Sequence, residues 1–305
     1  MRELKGRSLV SITDYSKEEI IHILDLAEEF EKNQRQKILD GYVISSLFFE
    51  PSTRTRLSFE SAVQYLGGSV IGFASADTSS VRKGESLKDT ILTVSSYSDL
   101  IVMRNPMDGS ARYASEVSPV PIINAGDGAN QHPTQCLLDL YSIRKTQGSL
   151  DNIHIAMIGD LKYGRTVHSL VQALSLFGAT FHFVSPESLK MPSSVKTWVK
   201  KANLEYHQYT DIMDVMPIAD ILYMTRIQGE RFPDPLEYEK VKNSYILENS
   251  MLKDSKDTMK VLHPLPRVNE ITEDVDPNPK AYYFQQAKNG VYVRQALLAA
   301  ILGLK

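Results

Sequence analysis

A single cysteine among 305 residues excludes an intrachain disulfide. That residue, Cys136, precedes Leu137 and Leu138, so a buried, inert thiol is expected there rather than a nucleophile. No stretch approaches the roughly 20 consecutive apolar residues that a membrane-spanning helix needs. Met1-Arg2-Glu3-Leu4-Lys5 has no apolar run behind it, so neither a signal peptide nor an anchor is expected, and a cytoplasmic protein fits best. Charge of one sign is not in large excess either: 34 Lys and Arg against 37 Asp and Glu leave a net charge of −3. There is no global basic field for nucleic acid, and any anion site must be local. The G-x-S-x-G elbow is absent, as are H-E-x-x-H and paired-cysteine spacings. His132, His263 and Asp127 stand isolated, so no metal is expected, nor any other cofactor.

What is present has the ordinary balance of a globular protein, 42% hydrophobic and 23% charged, in a chain long enough for two domains. The most informative stretch is Phe49-Glu50-Pro51-Ser52-Thr53-Arg54-Thr55-Arg56. An apolar run, Val43 to Phe48, precedes it and reads as a buried strand. A helical pattern with Phe59, Ala62, Val63 and Leu66 follows, closed by Gly67-Gly68. Three hydroxyls and two guanidinium groups therefore sit where a strand hands over to a helix, and free N–H groups there favour an anion. A well-capped helix with two exposed arginines is the plainer alternative. It leaves unexplained why cations occupy a first turn whose dipole they oppose.

Further apolar runs predict strands at Ser69 to Phe73, Leu100 to Met103 and Pro119 to Asn124 in the first half. A polar stretch, Asp77 to Glu85, reads from composition as a surface loop. Asn130-Gln131-His132-Pro133-Thr134-Gln135 opens an amphipathic helix. Gln147 to Asn152 looks like a linker, which puts the domains at residues 1–147 and 148–284. A terminal helix, 285–305, is long enough to pack back on the first. The second half repeats the alternation, with strands at Ile153 to Ile158, Phe181 to Val184, Glu205 to Tyr209, Ile221 to Met224 and Met259 to Leu262. Strands alternating with helices predict an α/β protein of two open, doubly wound parallel-sheet domains linked by helices. Such sheets bind ligands beyond the carboxyl ends of their strands. Polar clusters recur there: Ser52 to Arg56, Arg104, His132, Arg165, Arg226, and His263 to Arg267.

Gly159-Asp160-Leu161-Lys162-Tyr163-Gly164-Arg165-Thr166 has the glycine spacing of a phosphate-binding Walker loop, with arginine where that loop needs lysine and an aspartate that would repel a polyphosphate. A smaller anion facing Arg165 is the better expectation. His132 can either cap its own helix or donate one hydrogen bond to a polarised oxygen. An arginine-rich site without metal or covalent nucleophile suits group transfer from an activated phosphate donor, by orientation and by stabilising developing charge.

Ser52-Thr53-Arg54-Thr55-Arg56, His132-Pro133-Thr134-Gln135 and His263-Pro264-Leu265-Pro266-Arg267 together resemble the signature of the carbamoyltransferases, in order and spacing along nearly the whole chain. The first motif is common to family members with different acceptors, and His-Pro-Leu-Pro resembles the branch that uses aspartate rather than ornithine. The basic acceptor candidates agree independently, because an arginine fork matches a carboxylate.

The resemblance implies that Ser52, Thr53, Arg54 and Thr55 hold the phosphate of carbamoyl phosphate. It implies that Arg104, His132 and Thr55 polarise the carbamoyl oxygen, and that Gln135 with the Leu265 and Pro266 carbonyls holds the carbamoyl NH2. Arg165, Arg226 and Gln228 would hold L-aspartate. Ser79 and Lys83 would serve a neighbouring subunit's site, in a homotrimer with shared active sites to which regulatory chains could add (two catalytic trimers with three regulatory dimers). The chemical steps assigned to Arg54, Thr55, Arg104 and His132 would give N-carbamoyl-L-aspartate, on the pyrimidine pathway. Two departures from the family pattern stand out: Val81 replaces a usual glycine, and the segment Gly229 to Pro233 differs. A carbamoyltransferase for ornithine or an acylated ornithine, and a binding subunit without catalysis, are the competing readings.

Overall fold

The helix Lys17–Lys32 (α1) shows how literally the sequence is obeyed. Ser16 and Glu19 exchange side-chain and backbone hydrogen bonds in a capping box, and Ile20, Ile23, Leu24 and Ala27 bury one face. The computed structural model describes residues 4–229, 232 and 234–305. These divide into two compact units, one reaching to Tyr141 and including Lys288–Lys305, the other Ser142–Ala287.

In the first unit β1 (Val43–Phe48) leads to α2 (Thr53–Tyr65) and β2 (Ser69–Phe73). There follow α3 (Leu87–Ser95), β3 (Leu100–Asn105), α4 (Ser110–Val117), β4 (Ile122–Asp127) and α5 (Pro133–Gln147). The four strands are parallel in the order β2-β1-β3-β4. β1, β3 and β4 are almost wholly buried, as continuous apolar runs require, whereas β2 is an edge with Ile71 exposed. Gly72 lies against β1 so closely that a Cβ would meet the Ser46 carbonyl oxygen at 2.0 Å, so only glycine fits.

β4 starts later than the apolar run from Pro119 suggests. Pro119 and Pro121 lack the N–H that a ladder needs, and pairing to β3 begins with Ile122 against Ile101. α4 is an element that the apolar pattern does not announce, since its buried face is only Ser110, Ala111 and Ala114. The polar stretch after β2 forms two short 3₁₀ turns, Ala76–Thr78 and Ser80–Lys83.

The second unit continues with β5 (His154–Ile158), α6 (Arg165–Leu174), β6 (Thr180–Val184), α7 (Ser193–Lys201), β7 (Tyr206–Tyr209), β8 (Ile221–Met224), α8 (Pro235–Val241) and β9 (Lys260–Leu262). Its five strands are parallel in the order β7-β6-β5-β8-β9. The last helix, α9 (Tyr283–Leu302), carries the chain from the second unit into the first. In the first unit Gln295 Nε2 donates to the Gln34 carbonyl at 2.7 Å, and Gly6 N–H donates to that of Ile301 at 2.8 Å.

Both sheets reverse their winding at one place, between β1 and β3 in the first and between β5 and β8 in the second. At such a switch the loops on adjacent strands depart in opposite directions and leave a crevice at the carboxyl ends. The loop before α2 and Arg104 occupy the first switch; Gly159 to Arg165 and Thr225 to Gln228 occupy the second.

One face of the second sheet carries a row of histidines. His154 and His182 stack with centroids 5.4 Å apart, as do His182 and His207, and His182 Nδ1 meets the Tyr209 hydroxyl at 3.2 Å. Burial, then the fields of His154, His207 and Lys256, hold His182 down to about 4, against the opposing field of Asp220. The unfolded chain binds this proton near pH 6.5, so it takes up a proton that the fold refuses between pH 6.5 and 4. Stability tied to this group is complete above pH 6.5 and lost as pH falls toward 4, by about 2 kcal/mol after allowance for solvent screening. Urea unfolding across that range is expected to show a shallower pH slope for His182→Phe than for the wild type; equal slopes would contradict it.

Candidate functional site

At the first switch, Ser52 is the N-cap residue of α2 by position, but its hydroxyl makes no capping hydrogen bond, and the first turn holds no acid. The reading of Ser52 to Arg56 as an ordinary capped helix start therefore fails. Donors that a cap would satisfy are left for another acceptor. Thr55 is buried, while Thr53 and Arg54 are exposed. Desolvation, then the field of Arg104, lowers the pKa of Arg54. Two guanidinium groups thus share one neighbourhood at a helix N-terminus, an arrangement that an anion between them would relieve. Register explains it: Phe48 pairs with Arg104, and Phe49 N–H donates to the Arg104 carbonyl at 2.9 Å. Arg104 Nε is oriented by Glu50 Oε1 at 2.7 Å. Arg56 pairs instead with Glu60 one turn along, at 3.5 Å.

His132 is buried, and its Nδ1 accepts the Gln135 N–H at 3.4 Å. The two readings of this histidine are compatible, because a ring that accepts at Nδ1 carries its neutral-state proton on Nε2 and can donate from there. Its approach is set by Asp127, which is fully buried at the end of β4. Asp127 accepts from Gly109 N–H at 3.0 Å, Gln131 N–H at 3.1 Å, Asn124 Nδ2 at 2.9 Å and Asn130 Nδ2 at 3.0 Å. One carboxylate thereby ties the loop after β3 to the turn before His132. Cys136, next on α5 after Gln135, is fully buried, and burial followed by the Asp139 field pushes its thiol well up, out of nucleophilic range.

Ser79 lies between the two 3₁₀ turns, and Lys83 ends the second. The Ser79 hydroxyl donates to the Ala76 carbonyl at 2.8 Å, while Ser80 and Lys83 are exposed.

At the second switch the near-Walker loop is filled by its own anion. Asp160, fully buried, accepts from Tyr163 N–H at 2.9 Å and from Gln228 N–H at 3.4 Å; its own N–H donates to Thr225 Oγ1 at 3.1 Å. Gly159, at φ +112°, lets the two loops touch, since a Cβ would meet the Thr225 carbonyl oxygen at 2.4 Å. Arg165, buried at the start of α6, and the half-buried Arg226 and Gln228 are thus carried on neighbouring, mutually bonded loops. Phe232 packs edge-on between Tyr163 and Tyr238, at 5.7 and 5.6 Å. Glu230, Arg231 and Pro233 of the divergent segment lie outside the described residues, as does the side chain of Val81.

After β9, His263 Nδ1 accepts the Leu265 N–H at 2.7 Å, and Nε2 donates to the buried Glu270 at 2.7 Å. Burial alone would raise the Glu270 carboxyl, but the His263 hydrogen bond and charge and backbone N–H groups outweigh it and hold it below the usual range. This clamp holds Leu265 at φ +55°, a conformation costly for a residue with a Cβ, and the bond to Pro266 is cis. Arg267 is fully engaged elsewhere, as a fork on Asp276 with the Tyr283 hydroxyl at 3.1 Å. Among the described residues no group of three or more His, Cys, Asp or Glu is arranged to hold a metal ion.

Residues 7–145 match the model for the aspartate/ornithine carbamoyltransferase carbamoyl-P binding domain, and residues 151–301 match that for the Asp/Orn binding domain. The chain belongs to the aspartate/ornithine carbamoyltransferase family. A family relative from Parabacteroides distasonis, named an aspartate carbamoyltransferase catalytic subunit, is 62% identical over 99% of both chains. The solved catalytic subunit of M. jannaschii aspartate transcarbamoylase superposes with a TM-score of 0.91 at 50% identity, covering 98% of this chain and 99% of that one. Aspartate transcarbamoylase from Trypanosoma cruzi, solved with carbamoyl phosphate and aspartate, gives 0.92 at 39% identity over 98% of each. Both solved structures thus match this fold over nearly its whole length.

Proposed function

We propose that this chain is an aspartate carbamoyltransferase, transferring the carbamoyl group from carbamoyl phosphate to the α-amine of L-aspartate. The observation that carries the reading is the uncapped start of α2 with Arg54 and Arg104 in each other's field at the first switch point. Residues 1–147, with 285–305, hold carbamoyl phosphate, and residues 148–284 hold aspartate.

Ser52, Thr53, Arg54 and Thr55 bind the phosphate through hydroxyl and helix-start N–H groups. Arg104, His132 and Thr55 donate to the carbamoyl oxygen, where negative charge grows as the amine adds to the carbonyl carbon. A preorganised donor of this kind contributes about 3 kcal/mol. Gln135 and the Leu265 and Pro266 carbonyls accept from the carbamoyl NH2. Arg165, Arg226 and Gln228 hold the aspartate carboxylates. Holding both reactants in line contributes roughly 7–11 kcal/mol. The tetrahedral intermediate then collapses, the C–O bond to phosphate breaks, and the departing phosphate takes the proton released by the amine. N-carbamoyl-L-aspartate, a pyrimidine precursor, is the other product.

Ser79 and Lys83 complete the site of a neighbouring subunit in a homotrimer. The relatives' naming as catalytic subunits supports regulatory chains as further partners. The setting is the cytoplasm; no helix among the described residues is long and apolar enough to cross a membrane.

Incubating the protein with carbamoyl phosphate and either L-aspartate or L-ornithine, and measuring ureido product and phosphate, tests the assignment. Turnover with aspartate alone is expected. Turnover with ornithine instead, or binding of carbamoyl phosphate without any turnover, would overturn it.

A further inference from the structure

Gln135 lies in the first turn of α5, and its Nε2 donates to Asp139 Oδ1, one turn along the same helix, at 2.9 Å. Asp139 is fully buried, and Gln135 is nearly so. An ionised carboxylate can only accept. An amide that faces one must turn its NH2 toward it and carry its carbonyl oxygen on the other side. Arg294 of α9, also buried, places its guanidinium 4.9 Å over the Phe59 ring; burial lowers its pKa to about 9, and the field of Asp139 opposes that shift. Gly290 leaves room for that guanidinium, since a Cβ there would meet Arg294 Nη1 at 2.1 Å.

We propose that Asp139 is a specificity-determining positioning residue, which orients the Gln135 amide so that an acceptor oxygen, not an NH2, meets the donor substrate. This rests on the reading that Gln135 faces the carbamoyl group. The orientation then decides which acyl phosphate is selected. Carbamoyl phosphate offers an NH2 that satisfies the Gln135 oxygen. Acetyl phosphate has nearly the same shape but offers a methyl group, and leaves that buried oxygen unpaired. Sites built to bond a substrate N–H or O–H reject the analogue lacking it far more strongly than sites that sort by size. With the amide reversed, its NH2 would oppose the NH2 of the carbamoyl group and the preference would vanish.

The test compares wild type with Asp139→Asn, using carbamoyl phosphate as substrate and acetyl phosphate as competitor at saturating aspartate. An asparagine can present either end to Gln135 and so releases the amide to turn. The ratio of the acetyl phosphate inhibition constant to the carbamoyl phosphate KM is expected to fall about tenfold or more, the scale of one hydrogen bond. A structural role alone would weaken both ligands alike, and an unchanged ratio overturns the proposal. Gln135→Glu gives a second readout should Asp139→Asn fold poorly. Two carboxyl groups would then face each other and share one proton. Turnover is expected to acquire a descending limb as pH rises, absent from the wild type; superimposable profiles overturn the proposal. Wild type that turns over carbamoyl phosphate while Asp139→Asn keeps its ratio sinks this inference alone. Wild type inert toward carbamoyl phosphate and aspartate sinks the reading beneath it as well.

Discussion

Arg54→Ala is expected to lower kcat by roughly 10³-fold while the thermal midpoint stays where it is or rises slightly. The two halves of this result have different causes. Turnover falls because a charged donor at the phosphate, and at the charge passing through it, is gone. Stability is spared because Arg54 sits in the first turn of α2, where a cation opposes the helix dipole, and within the field of Arg104. Removing it relieves repulsion in the unliganded protein. Inorganic phosphate separates the two states further. A ligand at one hundred times its dissociation constant stabilises the folded state by about 2.7 kcal/mol, so phosphate should raise the wild-type midpoint and leave that of the variant nearly unmoved. Retention of most activity would show that the donor phosphate binds elsewhere.

Asp127→Ala is expected to act the other way, through stability first. Its carboxylate accepts two backbone N–H groups and two side-chain amides from residues spread between Gly109 and Gln131. Alanine leaves these donors without that acceptor, where Asp127 and Asn124 are fully buried and Gly109 and Gln131 partly so. Each orphaned buried donor costs about 1–3 kcal/mol, and partial relaxation brings the whole to about 3–5 kcal/mol. Urea unfolding should register this as a lower midpoint with an unchanged slope. Asp127→Asn keeps one acceptor oxygen but turns an NH2 toward one pair of donors, so about half the loss is expected. A change below 1 kcal/mol for Asp127→Ala would mean that solvent reaches these groups.

The two substitutions fall on opposite sides of what the sequence alone makes legible. The central strands among the described residues are legible because parallel strands, covered on both faces, appear as runs such as Ile155 to Ile158 and Leu100 to Met103. α4 is not, because two alanines and a serine form its buried face. The arginines and hydroxyls of the candidate site are legible for a chemical reason: cations at a helix start make little sense without an anion. Their supports, Glu50, Asp127, Asp139, Asp160 and Glu270, are not. Each is a lone acid in sequence, and its partners come from other turns, other strand ends or backbone N–H groups. Gly109 and Asp127 are 18 residues apart and belong to different strand–helix connections. Asp160 is the clearest case. In sequence it counts only against phosphate binding, and in the fold it is the anion that joins the loops bearing Arg165 and Gln228.

The passage of α9 from the second unit into the first also has a consequence for biosynthesis. The apolar side chains of Tyr292, Val293, Ala296, Leu297, Ala300 and Ile301, all buried, belong to a unit whose strands are translated before the second unit, yet they themselves are translated after it. Until they arrive, the nascent first unit exposes the surface that they will cover, while the second unit, continuous in sequence, already has its own core. The unit whose strands are made before the other's is thus the one that must wait to finish folding.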